Sequence, residues 1–362
     1  MIAHYAPLSF KQRLSSDPSG VRVIIWVLLL GVAINLARKF FQYPAVTLKN
    51  TPYNPVPEDA FSGYIETPDN IRLRYARWKA TAHPAKGTVL LLHGRTECIE
   101  KLFETVSDLR KRGFEVLTFD WRGQGGSSRL IQNKLAGYID DYEDYIVDLE
   151  TVFQQVALPD CKAPYYILAH STGGLISLLA APRFANKVRR MVLSSPLLGL
   201  ENRGLPQPGI RLLSGFMSAI GLGESYLGSG STPAESSSFA GNIYTSDPER
   251  FDRNRRLVED FRELAVGGTT AAWVFATCQA MELVHDMDFY TGISIPSLLV
   301  LAGNEQVVSN QAIEELGARL RAGSTLTIDG AKHEILQEHD IYREQLLAAF
   351  DSFIPGSDET GP

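Results

Sequence analysis

Apolar and polar positions change rhythm three times along the chain. Val23 to Ile34 is an unbroken apolar run, extendable from Val21 to Ala37 with Arg22 and Asn35 near its ends. As a helix the longer stretch reaches ~25 Å, a little short of a ~30 Å hydrocarbon core, and Arg22, Arg38 and Lys39 can snorkel to close the gap. It begins well inside the chain and no small-x-small site follows, so an uncleaved membrane anchor is expected rather than a signal peptide. A soluble cytoplasmic protein with a surface-lying helix is the alternative. Basic residues flank the run on both sides and leave its orientation open. From Tyr43 to Glu58, Pro44, Pro52, Pro55 and Pro57 predict an extended linker rather than a packed element.

From Phe61 onward, strand and helix patterns alternate. Phe61 to Lys79 reads as a hairpin turning at Pro68, Asp69 and Asn70. TVLLLHG after Gly87, FEVLTFD (114–120), YYILAH (165–170), VRRMVLSS (188–195), PSLLVLAG (296–303) and STLTID (324–329) predict strands, the first a continuous apolar run buried on both faces of a parallel sheet. Helical spacing falls between them at Glu97 to Lys111, Tyr142 to Val156, Thr172 to Ala181, Gln311 to Arg321 and Ile341 to Phe353. This alternation predicts a doubly wound, mostly parallel α/β sheet with ligands at the carboxyl ends of its strands. Leu197 to Tyr290 breaks the rhythm and carries helix candidates at Ile210 to Ile220 and Thr269 to Val284. Inserted at the carboxyl edge, it should form a cap, or lid, over the site. Leu212, Leu213, Phe216, Met217 and Ile220 would be the cap's own core; the alternatives are that they line an acyl pocket, with Phe216, Met217 and Trp273 touching substrate, or rest on lipid. The expected units are 1–42 as N-terminal segment, 43–60 as linker, 61–196 with 291–355 as core, 197–290 as cap and 356–362 as flexible tail.

Composition removes several function classes. Thirty-five Lys and Arg against 41 Asp and Glu give a formal charge of -6, so no basic field draws the chain to nucleic acid. The cysteines Cys98, Cys161 and Cys278 are too scattered for a disulfide framework or a metal knuckle and read as small buried hydrophobes. The oligomeric state is not legible.

The chemical signal lies where a strand turns into a helix, in Ala169-His170-Ser171-Thr172-Gly173-Gly174. A serine in that turn is strained so that its hydroxyl stands above the sheet, and small residues two before and two after it let strand and helix approach. Ala169 replaces the usual first glycine but keeps the steric logic. A serine hydroxyl is a weak nucleophile and needs a histidine base steadied by a carboxylate. Among seven histidines, His4, His83, His93, His170, His285 and His339 sit in termini, turns, strand ends, the cap or a helix start. His333 follows the last strand, on the same rim as Ser171. Glu305 is the carboxylate of the loop after LLVLAG, with Asp286 and Asp288 as rivals. The order Ser171, Glu305, His333 is the nucleophile, acid, base order of α/β-hydrolases. Backbone N–H groups of Thr172 and Arg95 are the expected oxyanion donors. The Arg95 side chain is either a contact for a lipid phosphate or a solvated loop arginine.

Leu92-His93-Gly94-Arg95, FDWRGQGGSS (119–128), LAHSTGG (168–174), GNEQVVSN (303–310) and GAKHEILQE (330–338) together resemble the serine-aminopeptidase-like branch of α/β-hydrolases, which includes monoacylglycerol lipases and bacterial lysophospholipases. The resemblance covers about residues 60 to 355, with Val266-Gly267-Gly268 similar to the bacterial lysophospholipases; the N-terminal run lies outside it. It implies an α/β-hydrolase fold, nucleophile Ser171, acid Glu305, base His333 and oxyanion amides at Arg95 and Thr172. It further implies that Asp120, Arg122, Gly123, Gly125 and Ser127 are architecture. The expected partner is a small amphiphilic lipid ester, with membrane contact through the N-terminal helix, and no cofactor or metal is called for. An aminopeptidase or amidase, an acyltransferase, and an inactive binding protein on the same fold are the alternatives.

Overall fold

In the computed structural model, residues 46–201, 206–228, 230 and 238–355 are described. The strands are β1 (Phe61–Glu66), β2 (Arg72–Trp78), β3 (Gly87–Leu92), β4 (Phe114–Phe119), β5 (Tyr165–His170), β6 (Val188–Ser194), β7 (Ser297–Ala302) and β8 (Gly323–Ile328). They form one eight-stranded sheet in the order β1-β2-β4-β3-β5-β6-β7-β8. β2 runs antiparallel to both neighbours, and the strands from β4 across to β8 pair in parallel. The chain has the α/β-hydrolase fold. Every residue of β3, β4, β5 and β7 is buried; for β3 this is what its continuous apolar run predicts, while β4 also buries Glu115 and Thr118 and β5 His170.

Alternate side chains of these strands feed two cores. Val89, Leu91, Val116, Leu168 and Val300 pack with helices α1 (Phe103–Lys111) and α8 (Asp340–Phe353) on one face. Leu90, Leu92, Ile167, Leu193 and Leu299 pack with α2 (Tyr142–Val152), α3 (Thr172–Phe184), α6 (Ala271–His285) and α7 (Asn310–Arg319) on the other. Between β6 and β7 lie α4 (Gln207–Ala219), α5 (Pro248–Asp260) and α6.

A buried ionic knot sets the turn after β4. Arg74 Nε donates to Asp120 Oδ2 at 2.6 Å, and its two terminal nitrogens donate to Glu100 at 2.8 and 2.6 Å. Gly125, at φ 48°, passes so close to Asp120 that a Cβ there would lie 2.2 Å from the carboxyl carbon, which is why only glycine fits. The architectural expectation for this motif thus has its physical basis.

Other expectations need correction. The proline-rich stretch is not a free linker: Leu48 and Asn54 are buried, Lys49 N–H donates to Glu100 Oε1 at 3.2 Å, and Asn54 Nδ2 donates to Glu100 O at 2.9 Å. The predicted helix from Tyr142 to Val156 gives way to a π turn at Phe153–Ala157. That from Glu97 starts as a 3-10 turn at Ile99–Leu102. Helix α5 was not predicted, since its inward side is only Phe251, Asn254 and Leu257 within a charged sequence. Cys161 is only half-buried, unlike Cys98 and Cys278. The apolar run at 21–37 and the 356–362 tail lie outside the described residues. Among the described residues no helix is long and apolar enough to cross a membrane.

Candidate active site

Chain geometry forces a hydroxyl upward at the end of β5. Ser171 has φ 50° and ψ -115°, a conformation that costs a non-glycine residue free energy. The surroundings hold it there: its N–H donates to Ser194 O at 3.0 Å, and its carbonyl accepts from Leu197 N–H at 3.1 Å. Gly173 lets α3 descend onto the sheet, because a Cβ there would meet His93 O at 2.7 Å and Leu92 O at 2.8 Å. Ala169, fully buried between β3 and β6, fills the corresponding small position on the strand.

The loops after β7 and β8 are laced together. Gly303 N–H donates to Ile328 O and Asn304 N–H to Ala331 O, at 2.9 and 2.8 Å, and a Cβ on Gly303 would lie 2.8 Å from Asp329 Cα. This lacing brings Glu305 to His333. Glu305 Oε2 accepts from His333 Nδ1 at 2.8 Å, while its Oε1 accepts backbone N–H bonds from Gln306 and Val307 at 2.9 and 2.7 Å. Burial would raise the Glu305 carboxyl, but the hydrogen bond and charge of His333 together with the Val307 and Val308 amides outweigh it and hold the group below its ordinary range. His333 Nε2 in turn lies 3.1 Å from Ser171 Oγ. The three side chains expected from the sequence therefore meet as one hydrogen-bonded chain.

The rivals go elsewhere. Exposed Asp286 caps the helical turn after α6 by accepting from Asp288 N–H, and Asp288 is exposed too. His93 Nδ1 donates to Gly94 O at 2.7 Å, and His285 Nε2 donates to Leu198 O at 3.0 Å. His170, at the end of β5, joins the site instead: its Nδ1 lies 2.9 Å from Glu97 Oε2 and its Nε2 3.3 Å from His333 O. Burial opposes charge on His170, yet Glu97 beside it raises its pKa above the usual histidine value. Glu97 also bonds Lys101 at 3.2 Å, and Lys101 reaches Glu334 at 2.8 Å. This buried polar cluster escaped the sequence reading, although Glu97 and Lys101 at i,i+4 directly after the His-Gly turn were a usable signal.

A cavity of about 450 Å³ opens above Ser171. Leu197, Leu200, Ile210, Leu213, Trp273 and Val274 are among its apolar lining, and Lys101, Glu334, Tyr244, Thr245 and Asn254 among its polar lining. Arg95 and Thr172, the expected oxyanion residues, line it with Ser171 and His333. Of the three expected substrate contacts only Trp273 lines it. Phe216 and Met217 do not, and Phe216 is 61% exposed. Nor are the apolar residues of α4 a core: Leu212 is 76% exposed and Ile220 53%. Helix α4 packs on α6 through its other side, buried Ser214 included, so the wide apolar stripe is more than that contact can cover.

Residues 83–340 match the family model described as serine aminopeptidase, S33. The chain is 33% identical over 292 residues to lysophospholipase L2 of Escherichia coli K12, covering 79% of this chain and 84% of that protein. It is 29% identical to the probable lysophospholipase L2 of Haemophilus influenzae, over 80% of this chain and 91% of that one. A crystal structure of a soluble variant of monoglyceride lipase from Saccharomyces cerevisiae, in complex with a substrate analog, has the same fold. It superposes with a TM-score of 0.66 at 18% identity, covering 84% of this chain and 97% of that one.

Proposed function

The chain belongs to the serine aminopeptidase (S33) family, and as a member of it, we propose, it is a serine hydrolase that cleaves carboxylic esters of single-chain glycerolipids, of lysophospholipid or monoacylglycerol type. Ser171 Oγ attacks the ester carbonyl as His333 Nε2 takes its proton. Glu305, kept ionised, orients the imidazole and stabilises the imidazolium that forms. The N–H groups of Thr172, at the start of α3, and of Arg95 receive the tetrahedral oxyanion. His333 then protonates the leaving alcohol, and a water activated by the same imidazole releases the fatty acid from the acyl-enzyme.

The observation that carries this reading is the 3.1 and 2.8 Å relay from Ser171 through His333 to Glu305 inside a cavity lined by both apolar and polar residues. An acyl chain suits the apolar lining and a hydroxylated or phosphorylated head group the polar residues. Residues 197–290 act as the cap, contributing Ile210, Leu213, Trp273 and Val274 to the apolar wall. The lysophospholipase relatives support the lipid class, and the apolar run at 21–37 would keep the enzyme at its substrate's surface. An aminopeptidase needs an acidic group facing the substrate amine; Glu334 lines the cavity but is paired with Lys101, so the ester reading is favoured.

A lipid-panel hydrolysis assay tests the proposal. Wild type should release fatty acid from monoacylglycerol or lysophospholipid and be labelled by a fluorophosphonate at Ser171. Ser171→Ala should lose at least ~10⁴-fold in kcat and all labelling. Retention of hydrolysis by Ser171→Ala overturns the assignment, and acyl transfer to added glycerol in place of hydrolysis would recast the enzyme as a transferase.

A further inference from the structure

The loop after β3 is pinned on both sides of Arg95. Gly94 N–H donates to Glu97 Oε2 at 2.5 Å, and Thr96, at φ 65°, donates its N–H to Gln124 Oε1 at 2.8 Å. The Arg95 side chain meanwhile reaches the segment between β6 and β7. Its Nη1 donates to Gly267 O at 2.8 Å, and its guanidinium lies 5.5 Å from the centre of the Trp273 ring. That strip is itself docked on the core: Gly267 N–H donates to Leu135 O at 2.6 Å, Gly137 N–H to Gly268 O at 2.9 Å, and Thr270 N–H to Gly137 O at 3.0 Å. One residue therefore joins the loop beside the nucleophile to the first turn of α6.

We infer that the Arg95 side chain is a positioning residue, which makes completion of the oxyanion site depend on docking of residues 266–273. The inference rests on the hydrolase reading above. When Gly267 and Trp273 are seated, they fix the guanidinium and through it the direction of the Arg95 backbone N–H; when they lift, that donor loses its outer brace. A planar guanidinium suits the task because it can donate to a carbonyl and face an indole at once, which an ammonium does less well. The same engagement makes a direct phosphate contact a secondary role for this side chain. Misplacing an oxyanion donor costs less than the ~10² to 10³ in rate of deleting one, so a loss of about 10- to 100-fold in kcat is expected without the brace.

The test compares wild type, Arg95→Ala, Arg95→Lys and Gly137→Ala on a monoacylglycerol and on a lysophosphatidylcholine of the same acyl chain, with thermal unfolding as a check on folding. Labelling of Ser171 by a fluorophosphonate is timed in parallel. Arg95→Ala should lower kcat equally on both lipids, change KM by less than about 3-fold, and slow labelling to match. Arg95→Lys should recover part of the loss. Gly137→Ala keeps the arginine but places a Cβ 3.5 Å from Nη1 and 3.3 Å from Gly268 O, so it should give a smaller loss of the same kind. If Arg95→Ala does not fold, the other two variants carry the comparison. A defect confined to KM for the phosphate-bearing lipid, or unchanged kcat and labelling, overturns the inference while leaving the hydrolase reading intact. A wild type that neither hydrolyses nor is labelled removes both.

Discussion

The two arms of the segment between β6 and β7 are fastened by different physics. Helix α5 is riveted by charge: Arg250 donates to Glu104 at 2.5 and 3.0 Å, to Asp340 at 2.6 Å and to Glu338 O at 2.7 Å, and Arg253 donates to Glu104 and to Gln337 Oε1, each at 2.7 Å. Among the described residues helix α4 leans chiefly on α6 and turns Leu212 and Phe216, with Ile220 just beyond its end, to the outside. Directional ionic contacts fix an element in one place, whereas apolar packing along one seam tolerates sliding. The difference teaches that the insertion is not uniform: its α5 side behaves as part of the core and its α4 side as the adjustable wall of the cavity.

The largest effect should come from removing a rivet. Arg250→Ala leaves Glu104 and Asp247 short of a half-buried partner and should cost about 2 kcal/mol in urea unfolding; a neutral result would show that the ion pairs do not fasten α5. Acid provides a second break. Burial would raise Glu104, but hydrogen bonds from Arg250 and Arg253 and the charge of Arg343 hold its carboxyl at about 2. A carboxyl lowered on folding stabilises the protein above its unfolded pKa of ~4.3, and that contribution is lost as pH falls toward the folded value. Thermal midpoints should therefore drop between about pH 4.5 and 2, and Glu104→Gln should flatten that drop. The smallest effects belong to α4. Phe216→Ser should change stability by less than about 0.5 kcal/mol, whereas Leu213→Ser, on the cavity wall, should raise KM for a long-chain ester roughly 3- to 10-fold without altering a short-chain one. Equal behaviour of the two variants would erase the distinction drawn within α4.

This contrast also explains what the sequence revealed. Strands such as TVLLL carry their fate locally, since a run buried on both faces is apolar along most of its length. Ser171, Glu305 and His333 were legible because each follows a strand of the parallel sheet, where chain direction alone delivers it to one rim. Residues 48–54 were misjudged because their partners lie far along the chain: Lys49 N–H and Asn54 bond Glu100 and Leu48 packs into the core, and no local pattern announces it. Helix α5 hid behind its charges, two of which, Arg250 and Arg253, are spent on contacts with Glu104, Gln337 and Asp340. The α4 stripe misled in the opposite sense: periodicity reveals which side is apolar, not whether anything covers it.

The insertion leaves the sheet after β6 and returns to it at β7, and these strands are adjacent and parallel. Its two ends are thus held by the scaffold, one at the carboxyl end of β6 and the other at the amino end of β7, with α6 running back along the sheet between them. Doubling the length of a flexible connection with fixed ends costs only ~0.6 kcal/mol in closure entropy. The part of the roof ahead of α6 can therefore be lengthened or reshaped while α6 and the foundations stay put, so molecules with the same floor and different ceilings are within easy reach of mutation.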